Sequence, residues 1–452
     1  MSIPRKKTTR RNFITTTVAS SLVLSACNTK KNSDTGIHIG EDRSAEPTKW
    51  EPTENIDFDV FPYGIQTGDV TQNSVVISIH STISSATYIL KEASTEENHL
   101  SWNDLDEQDI VFEEGLYQST IEGLHPDTAY NICVFSNGIR SSVSRFRTAP
   151  DLSSMRNIIF GATSCLGGNR PWPNLSHAAT QDYDFFCFLG DSVYADGSVT
   201  YDDYWYYWNR TLKQTGMQEV TSSTSIIATW DDHEVDNNWS YDDISTEQFL
   251  SALSAFRNAF PQSTGPDGAI WRKLIWGKTL EVFVLDCRSE RRNDNYISTE
   301  QMEWLKDGLR TSKAQWKIIL NSVPITDMED LLGSAISRDR WQGYPESRTD
   351  ILTFIEEEQI SNILWVSGDF HYGMVSKISR IGDAGQNMYE VLTGPSGSGP
   401  SPLGELLVPT EQYLYGHSNW CHTRFTVAPA ENSILVEFIG DDGQVFSDYT
   451  IT

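Results

Sequence analysis

The chain is short of basic residues and of cysteine, and beyond its first segment it has no long hydrophobic run. Lys and Arg number 34 against 62 Asp and Glu, a net charge of −28. A field of that sign repels polyanions and argues against wholesale binding of nucleic acid or anionic membrane. Six cysteines in 452 residues cannot form the dense staple of a small secreted scaffold. Stability must come from a buried core, for which two to three domains' worth of chain is ample. After residue 27 no stretch comes near 18 apolar residues, so no spanning helix is expected. Aromatic rings are plentiful, with 14 Trp and 18 Tyr, which is too rich for a disordered or fibrous protein.

The first 27 residues stand apart. Arg5, Lys6, Lys7, Arg10 and Arg11 precede an apolar run from Phe13 to Ala26, with no acidic residue among them. This is the layout of a secretory signal, not of a folded element. Thr9-Arg10-Arg11-Asn12-Phe13-Ile14 resembles the twin-arginine export motif of bacteria. Leu24-Ser25-Ala26-Cys27 resembles a lipobox, in which Cys27 is acylated. A periplasmic or cell-surface lipoprotein is therefore expected, touching the membrane only through a lipid anchor at Cys27; the simpler alternative is a plain secretory peptide with an incidental cysteine. The five remaining cysteines, Cys133, Cys165, Cys187, Cys287 and Cys421, are odd in number. At least one is then unpaired or occupied by a metal in an oxidising compartment, and Cys165 is the candidate.

Residues 28–57 are polar, with almost no apolar pattern, and read as a flexible tether. From 58 to 149 short alternating runs recur between Asn, Gly, Asp and Pro turns, for example Ser74 to Ile79 and Tyr130 to Phe135. They predict a β-sandwich of immunoglobulin or fibronectin type, with Leu124 to Tyr130 as a turn and tyrosine-bearing strand. From 150 to 452 buried-strand runs alternate with helical stretches at 246–259 and 298–309, which predicts a layered α/β domain. The strands at 387–392, 422–427 and 433–439 lack intervening helices and predict a second, antiparallel sheet. Gly394 to Pro400 is the one low-complexity patch and suits a loop at the rim of a site.

Four apolar strands are each followed by hard or anionic donors: Thr163-Ser164-Cys165, Gly190-Asp191-Ser192-Val193-Tyr194-Ala195-Asp196, Trp230-Asp231-Asp232-His233-Glu234-Val235-Asp236-Asn237-Asn238 and Gly368-Asp369-Phe370-His371. In α/β domains, sites form where strands end. One such Gly-Asp is an ordinary turn or cap. Four together meet the needs of a binuclear metal centre: a shared carboxylate, hard oxygens for one ion, and anionic or imidazole donors for the other.

The last three of these blocks, with Leu285-Asp286-Cys287-Arg288 and Phe61 to Asp69, resemble the signature segments of PhoD-like alkaline phosphatases/phosphodiesterases within the calcineurin-like metallophosphoesterases, over about residues 58 to 440. The resemblance implies a four-layer α/β/β/α catalytic domain behind the β-sandwich, and hydrolysis of phosphate mono- or diesters by a metal-activated hydroxide. It implies that Cys165, Asp191, Tyr194 and His371 hold Fe³⁺, with Asp191 bridging to Ca²⁺ held by Asp232 and Asp369. One or two Ca²⁺, or other divalent metals, are compatible with that set. His233 would bind phosphate and protonate the leaving oxygen, its ring oriented by Asp231 or Glu234. Asn238 and Arg288 would offset charge on the phosphate oxygens. The segment after Cys165, Leu166-Gly167-Gly168-Asn169-Arg170, and Ser192-Val193 depart from the family's usual form. A phosphate ester is thus the expected partner, with no stable nucleic-acid partner, and a monomer is expected. The rings Tyr201, Tyr204, Trp205, Tyr206, Tyr207 and Trp208 are either core or a platform for a substrate's sugar. The rival reading is a surface-anchored glycan-binding lipoprotein with a degenerate phosphatase core; such a core would be expected to have lost a metal ligand, and none is missing.

Overall fold

The structure is a computed structural model describing residues 49–452, apart from 97–98, 169, 293, 329–338 and 407–408 and the side chains of 94–103. The signal expected over 1–27, its Cys27, and residues 28–48 of the expected tether lie outside the described residues. The end of that tether is ordered: Asn55–Ile56 pairs in parallel with Ile139–Arg140, and Trp50 packs on Phe135.

Two mixed sheets lie face to face. The first has nine strands in the order Val445–Ile451, Ser433–Gly440, Cys421–Ala428, Ile158–Thr163, Phe185–Leu189, Ile226–Thr229, Ile65–Gly68, Ser74–His80, Leu116–Glu122. The second has seven, in the order Arg272–Trp276, Leu280–Val284, Trp316–Leu320, Ile363–Ser367, Tyr389–Thr393, Gly373–Lys377, Tyr413–His417. The period-two side-chain alternation of a strand explains the layering. Phe185, Cys187 and Leu189 enter the core shared with Val282, Ile318, Leu320, Leu364 and Val366 of the second sheet. Their neighbours Phe186 and Phe188 point the other way, onto the helices Tyr201–Leu212, Thr215–Ser223 and Thr246–Ala259. On the far side Phe283, Ile319 and Trp365 pack on the helices Thr299–Thr311 and Pro345–Glu357. The result is the expected α/β/β/α stack. Helix starts follow local chemistry: Ser245 and Ser298 accept the N–H of Gln248 and Gln301, and Thr200 forms a capping box with Asp203.

The strand-rich segment over 58–149 contributes to two sheets. Ser85–Glu96, His99–Val111, Ala129–Ser136 and shorter strands form a six-stranded sheet. Its Tyr88, Leu90, Ile132 and Val134 share a core with Val75, Ile77 and Ile79, which belong to the nine-stranded sheet. That sheet therefore runs on from the strands of residues 158–229 through the parallel pairing of Ile226 with Gly68, which covers the Ile226 end of that strand's open edge. The expected tyrosine turn is present, with the His125 N–H donating to the Tyr130 hydroxyl at 2.8 Å. One expectation is corrected. The last strands do not make a sheet of their own: Tyr389–Thr393 lies parallel to Ile363–Ser367, whereas Cys421–Ala428 and Ser433–Gly440 extend the first sheet. Alternating apolar residues specify a strand and its buried face, and leave its neighbour to the tertiary packing.

Candidate metal centre

Strands Ile158–Thr163, Phe185–Leu189 and Ile226–Thr229 are parallel neighbours, so their carboxyl ends align, and Ile363–Ser367 ends against them from the second sheet. Each strand is left by a sharp turn. Cys165, Asp191, Asp369 and His371 all have positive φ, between 54° and 70°, a conformation costly for residues with a Cβ and common where a site holds its ligands in place. Gly190, at φ 91°, makes the turn before Asp191 possible: a Cβ there would sit 2.4 Å from the Cβ of Asp231.

Three ligand groups result, in each of which one donor atom per residue lies within 4.8 Å of the others: Cys165, Asp191 and His371; Asp191, Asp232 and His233; and Asp191, Asp231, Asp232 and Asp369. Asp191 belongs to all three. Tyr194 completes the first, its hydroxyl donating to Asp191 Oδ2 at 3.2 Å and lying 3.0 Å from His371 Nε2. The Nδ1 of His371 lies 3.2 Å from the Gly399 carbonyl, which fixes that nitrogen as the N–H and leaves Nε2 with the lone pair. The six sequence-predicted ligands thus converge.

The donor set fits cations on its own chemistry. Asp191 Oδ1, Asp232 Oδ1 and Asp369 Oδ2 are buried oxygens without a hydrogen-bond partner among the described residues, an expensive condition unless a cation meets them. Burial, then the charges of Asp232 and Asp231, raise the Asp191 carboxyl well above its ordinary range. Burial and then Asp231 do the same to Asp369. Burial, then Asp191, push up the Cys165 thiol and the Tyr194 phenol. These four donors resist ionising until positive charge arrives, and bound cations invert that preference.

His233 is held differently from expectation. Its Nδ1 lies 2.8 Å from Asp196 Oδ1, and its ring stacks on Tyr194 with centroids 4.1 Å apart. Neither Asp231 nor Glu234 is the partner found: Asp231 Oδ1 accepts from Arg288 Nε at 2.6 Å, and Glu234 accepts the backbone N–H groups of Asp191, Ser192 and Asp231. Glu234 is a clamp between two ligand loops, and sequence reasoning missed Asp196 because its side chain crosses 37 residues. Burial disfavours the His233 imidazolium, but Asp196 and Asp232 outweigh it and raise its pKa. Asp236 also joins the loops, accepting from the Gly197 N–H. Asn238 donates its backbone N–H to Asp232 Oδ2 at 2.7 Å and keeps its side chain exposed at the mouth.

Arg288 is fully buried. Its Nε meets Asp231, its Nη1 meets Asp339 at 2.5 Å, and its Nη2 lies 3.7 Å from Asp232 Oδ1. Its charge is committed to three carboxylates before any phosphate enters. Burial works against Asp232, yet Arg288 and His233 hold its carboxyl below the ordinary range. Asp339, which no sequence motif flagged, is likewise held down to about 2 by Arg288 and Arg291 against its burial. The aromatic cluster divides: Tyr204 and Trp208 are core, Tyr201 and Trp205 line an 870 Å³ cavity remote from the ligands, and Tyr207 lines a 270 Å³ cavity with Ser192, Val193 and Tyr194. All five described cysteines are buried and unpaired.

A pH prediction follows for the metal-stripped protein. Burial raises Asp231 to about 6 and Glu234 to about 7, and raises Asp191 and Asp369 too. Groups raised in the folded state contribute stability that is full below the ordinary carboxylate pKa of about 4 and is lost as pH climbs through the folded value. Asp232 and Asp339 act oppositely, but their contribution is lost only below that ordinary value. Chelator-treated protein should therefore lose stability from about pH 4 to about pH 7, whereas metal-loaded protein should not. Urea midpoints across that range check it.

A family profile described as PhoD-like phosphatase matches residues 160–420. Alkaline phosphatase D of Bacillus subtilis (strain 168) is 23% identical over 310 residues, 57% of this chain and 53% of that protein, so the match spans about half the length of that curated relative. Among solved structures, one described as the structure of PhoD superposes with a TM-score of 0.73 at 19% identity, covering 89% of this chain and 90% of that one. Purple acid phosphatase PPD1 from yellow lupin (Lupinus luteus) seeds gives 0.63 at 15% identity, covering 86% and 73%. Those two likenesses establish the fold. The profile covers more than half of the sequence, including every ligand-bearing strand end, and the chain belongs to the PhoD-like phosphatase family.

Proposed function

We propose that this protein is a metal-dependent phosphoesterase, hydrolysing phosphate mono- or diesters at a binuclear centre. The observation that carries the reading is the membership of Asp191 in all three ligand groups, as a carboxylate bridging two ions requires. Cys165, Asp191, Tyr194 and His371 suit a ferric ion, because thiolate and phenolate are anionic donors matched to a trivalent cation. Asp232 and Asp369, with Asp191 shared, suit Ca²⁺. When bound, the ions supply Lewis-acid polarisation of the phosphate and of the attacking water.

The chain's own residues do the rest. His233 is raised towards its protonated form and fixed by Asp196 and Tyr194, so its free Nε2 is the proton donor to the leaving oxygen. Asn238 offers its exposed amide to a phosphate oxygen. Arg288 acts from behind, holding Asp231 and Asp232 charged and in place. We also propose export by the twin-arginine route, with a lipid anchor at Cys27, and a monomer in solution; the charge and motif pattern of residues 1–27 supports the export route and the anchor.

The test is hydrolysis of p-nitrophenyl phosphate and bis(p-nitrophenyl) phosphate by the purified full chain, with and without chelator, beside metal analysis. Turnover that chelator abolishes and added metal restores is expected, and the ratio of the two rates assigns monoester or diester preference. Protein that cleaves neither ester and holds no metal would sink the reading in favour of the glycan-binding lipoprotein, whereas metal-loaded protein that cleaves neither would mean that the aromatic cluster and loop 394–400 select an unusual substrate.

A further inference from the structure

The segment Gly394-Pro395-Ser396-Gly397-Ser398-Gly399-Pro400 was legible in the sequence only as a flexible rim. In the structure it touches three ligand residues at once. The Cys165 carbonyl accepts from the N–H groups of Gly397 and Ser398, at 3.1 and 2.9 Å. The Ser398 hydroxyl donates to the Tyr194 oxygen at 2.8 Å, and the Gly399 carbonyl accepts from His371 Nδ1 at 3.2 Å. Among the described contacts none joins these seven residues to Asp232 or Asp369.

The segment is itself held rigidly. Pro395 bridges to Ser164, and the Ser396 hydroxyl lies 2.5 Å from Thr163 Oγ1. Arg170 Nη1 donates to the Ser396 carbonyl at 2.7 Å, stacks over Trp420 and pairs with Asp441. Trp420 Nε1 donates to the Ser398 carbonyl at 2.8 Å. Gly397 is obligatory at this density, since a Cβ there would lie 2.4 Å from Trp172 Nε1 and 2.5 Å from the Leu166 carbonyl.

We propose that residues 394–400 form the template for one side of the centre, the Cys165–Tyr194–His371 side, and that Ser398 is its positioning residue. The proposal rests on the reading of those three residues as metal ligands. A hydroxyl donating to a ligand oxygen fixes where that oxygen points, and loss of such an outer partner typically costs about 10- to 100-fold in metal affinity. Because the template contacts only one ligand set, the loss should be one-sided.

The experiment loads the full chain with iron and calcium, then measures metal content per chain against increasing chelator, and the visible absorption that a phenolate donor gives a ferric ion. Wild type is compared with Ser398→Ala and with Trp420→Phe, which removes the indole N–H that anchors the loop and keeps an aromatic face under Arg170. Ser398→Ala is expected to release iron at about 10- to 100-fold lower chelator, to shift the absorption band, and to retain calcium as wild type does. Trp420→Phe should show a smaller change of the same kind. Iron retention and absorption like wild type in Ser398→Ala would overturn the proposal while leaving the phosphoesterase reading intact. Equal loss of both ions would overturn the one-sided template. Wild type that binds neither ion would sink the metal centre itself, and this inference with it.

Discussion

Asp191→Asn is expected to lower turnover by at least about a thousandfold, on the order of 4 kcal/mol of transition-state stabilisation, and yet to raise the melting temperature of the metal-stripped protein. Both effects have one cause. Asp191 is the residue common to the three ligand groups, so its loss damages both proposed ion sites together. It is also a buried carboxyl whose ionisation is opposed by burial and by Asp232, Asp231 and Glu234. The amide keeps the shape and removes that charge, which relieves the like-charge cost in the absence of cations. Thermal melts with and without chelator beside ester hydrolysis check the pair of effects. Wild type should gain stability on metal addition and the variant should gain far less. A variant that turns over normally, or one whose stripped form melts lower than stripped wild type, would contradict the bridging assignment.

Arg288→Met should have the largest effect on stability, about 3–5 kcal/mol, the usual cost of breaking a buried ion pair from one side. The guanidinium is fully buried and compensates Asp231, Asp232 and Asp339 together. Methionine fills part of the volume and leaves Asp231 and Asp232 without their guanidinium in a low-dielectric interior, while Asp339 keeps Arg291. The double variant Arg288→Met/Asp231→Asn should recover part of the loss, because the amide no longer needs the cation, with an interaction energy of about 1–3 kcal/mol. Urea unfolding of the four proteins of this cycle measures it; strict additivity would show that Asp231 is not the principal partner.

The contrast between Asp191 and Arg288 marks how far the sequence could be read. The donor-bearing segments were visible because a short apolar strand preceded each of them, a local pattern that needs no knowledge of neighbours, and the family resemblance then picked out six of their residues as ligands. Arg288 was visible as a residue and not as an environment: nothing local shows that Asp339, 51 residues away, shares its charge. Asp196 stood in a recognised block, but its bond to His233 depends on how two loops meet. The nine-residue block from Trp230 to Asn238 did announce Glu234, though as a partner for the wrong side chain; its carboxylate holds backbone N–H groups, which no side-chain pattern encodes.

By itself the sequence determined the acidic character, the strand and helix pattern of a sandwich followed by layered α/β structure, the donors at four strand ends, and the resemblance that family membership bears out. These depend on residue type and spacing over a few positions, where alternation and turn chemistry act locally. Only the tertiary structure decided that the last strands split between two sheets, that the N-terminal strands run into the nine-stranded sheet, that Arg288 serves three carboxylates, and that Ser398 reaches Tyr194 across 204 residues. Such choices are settled by which burial and which paired charges the whole chain can satisfy at once, and the free energy of those contacts belongs to no single segment.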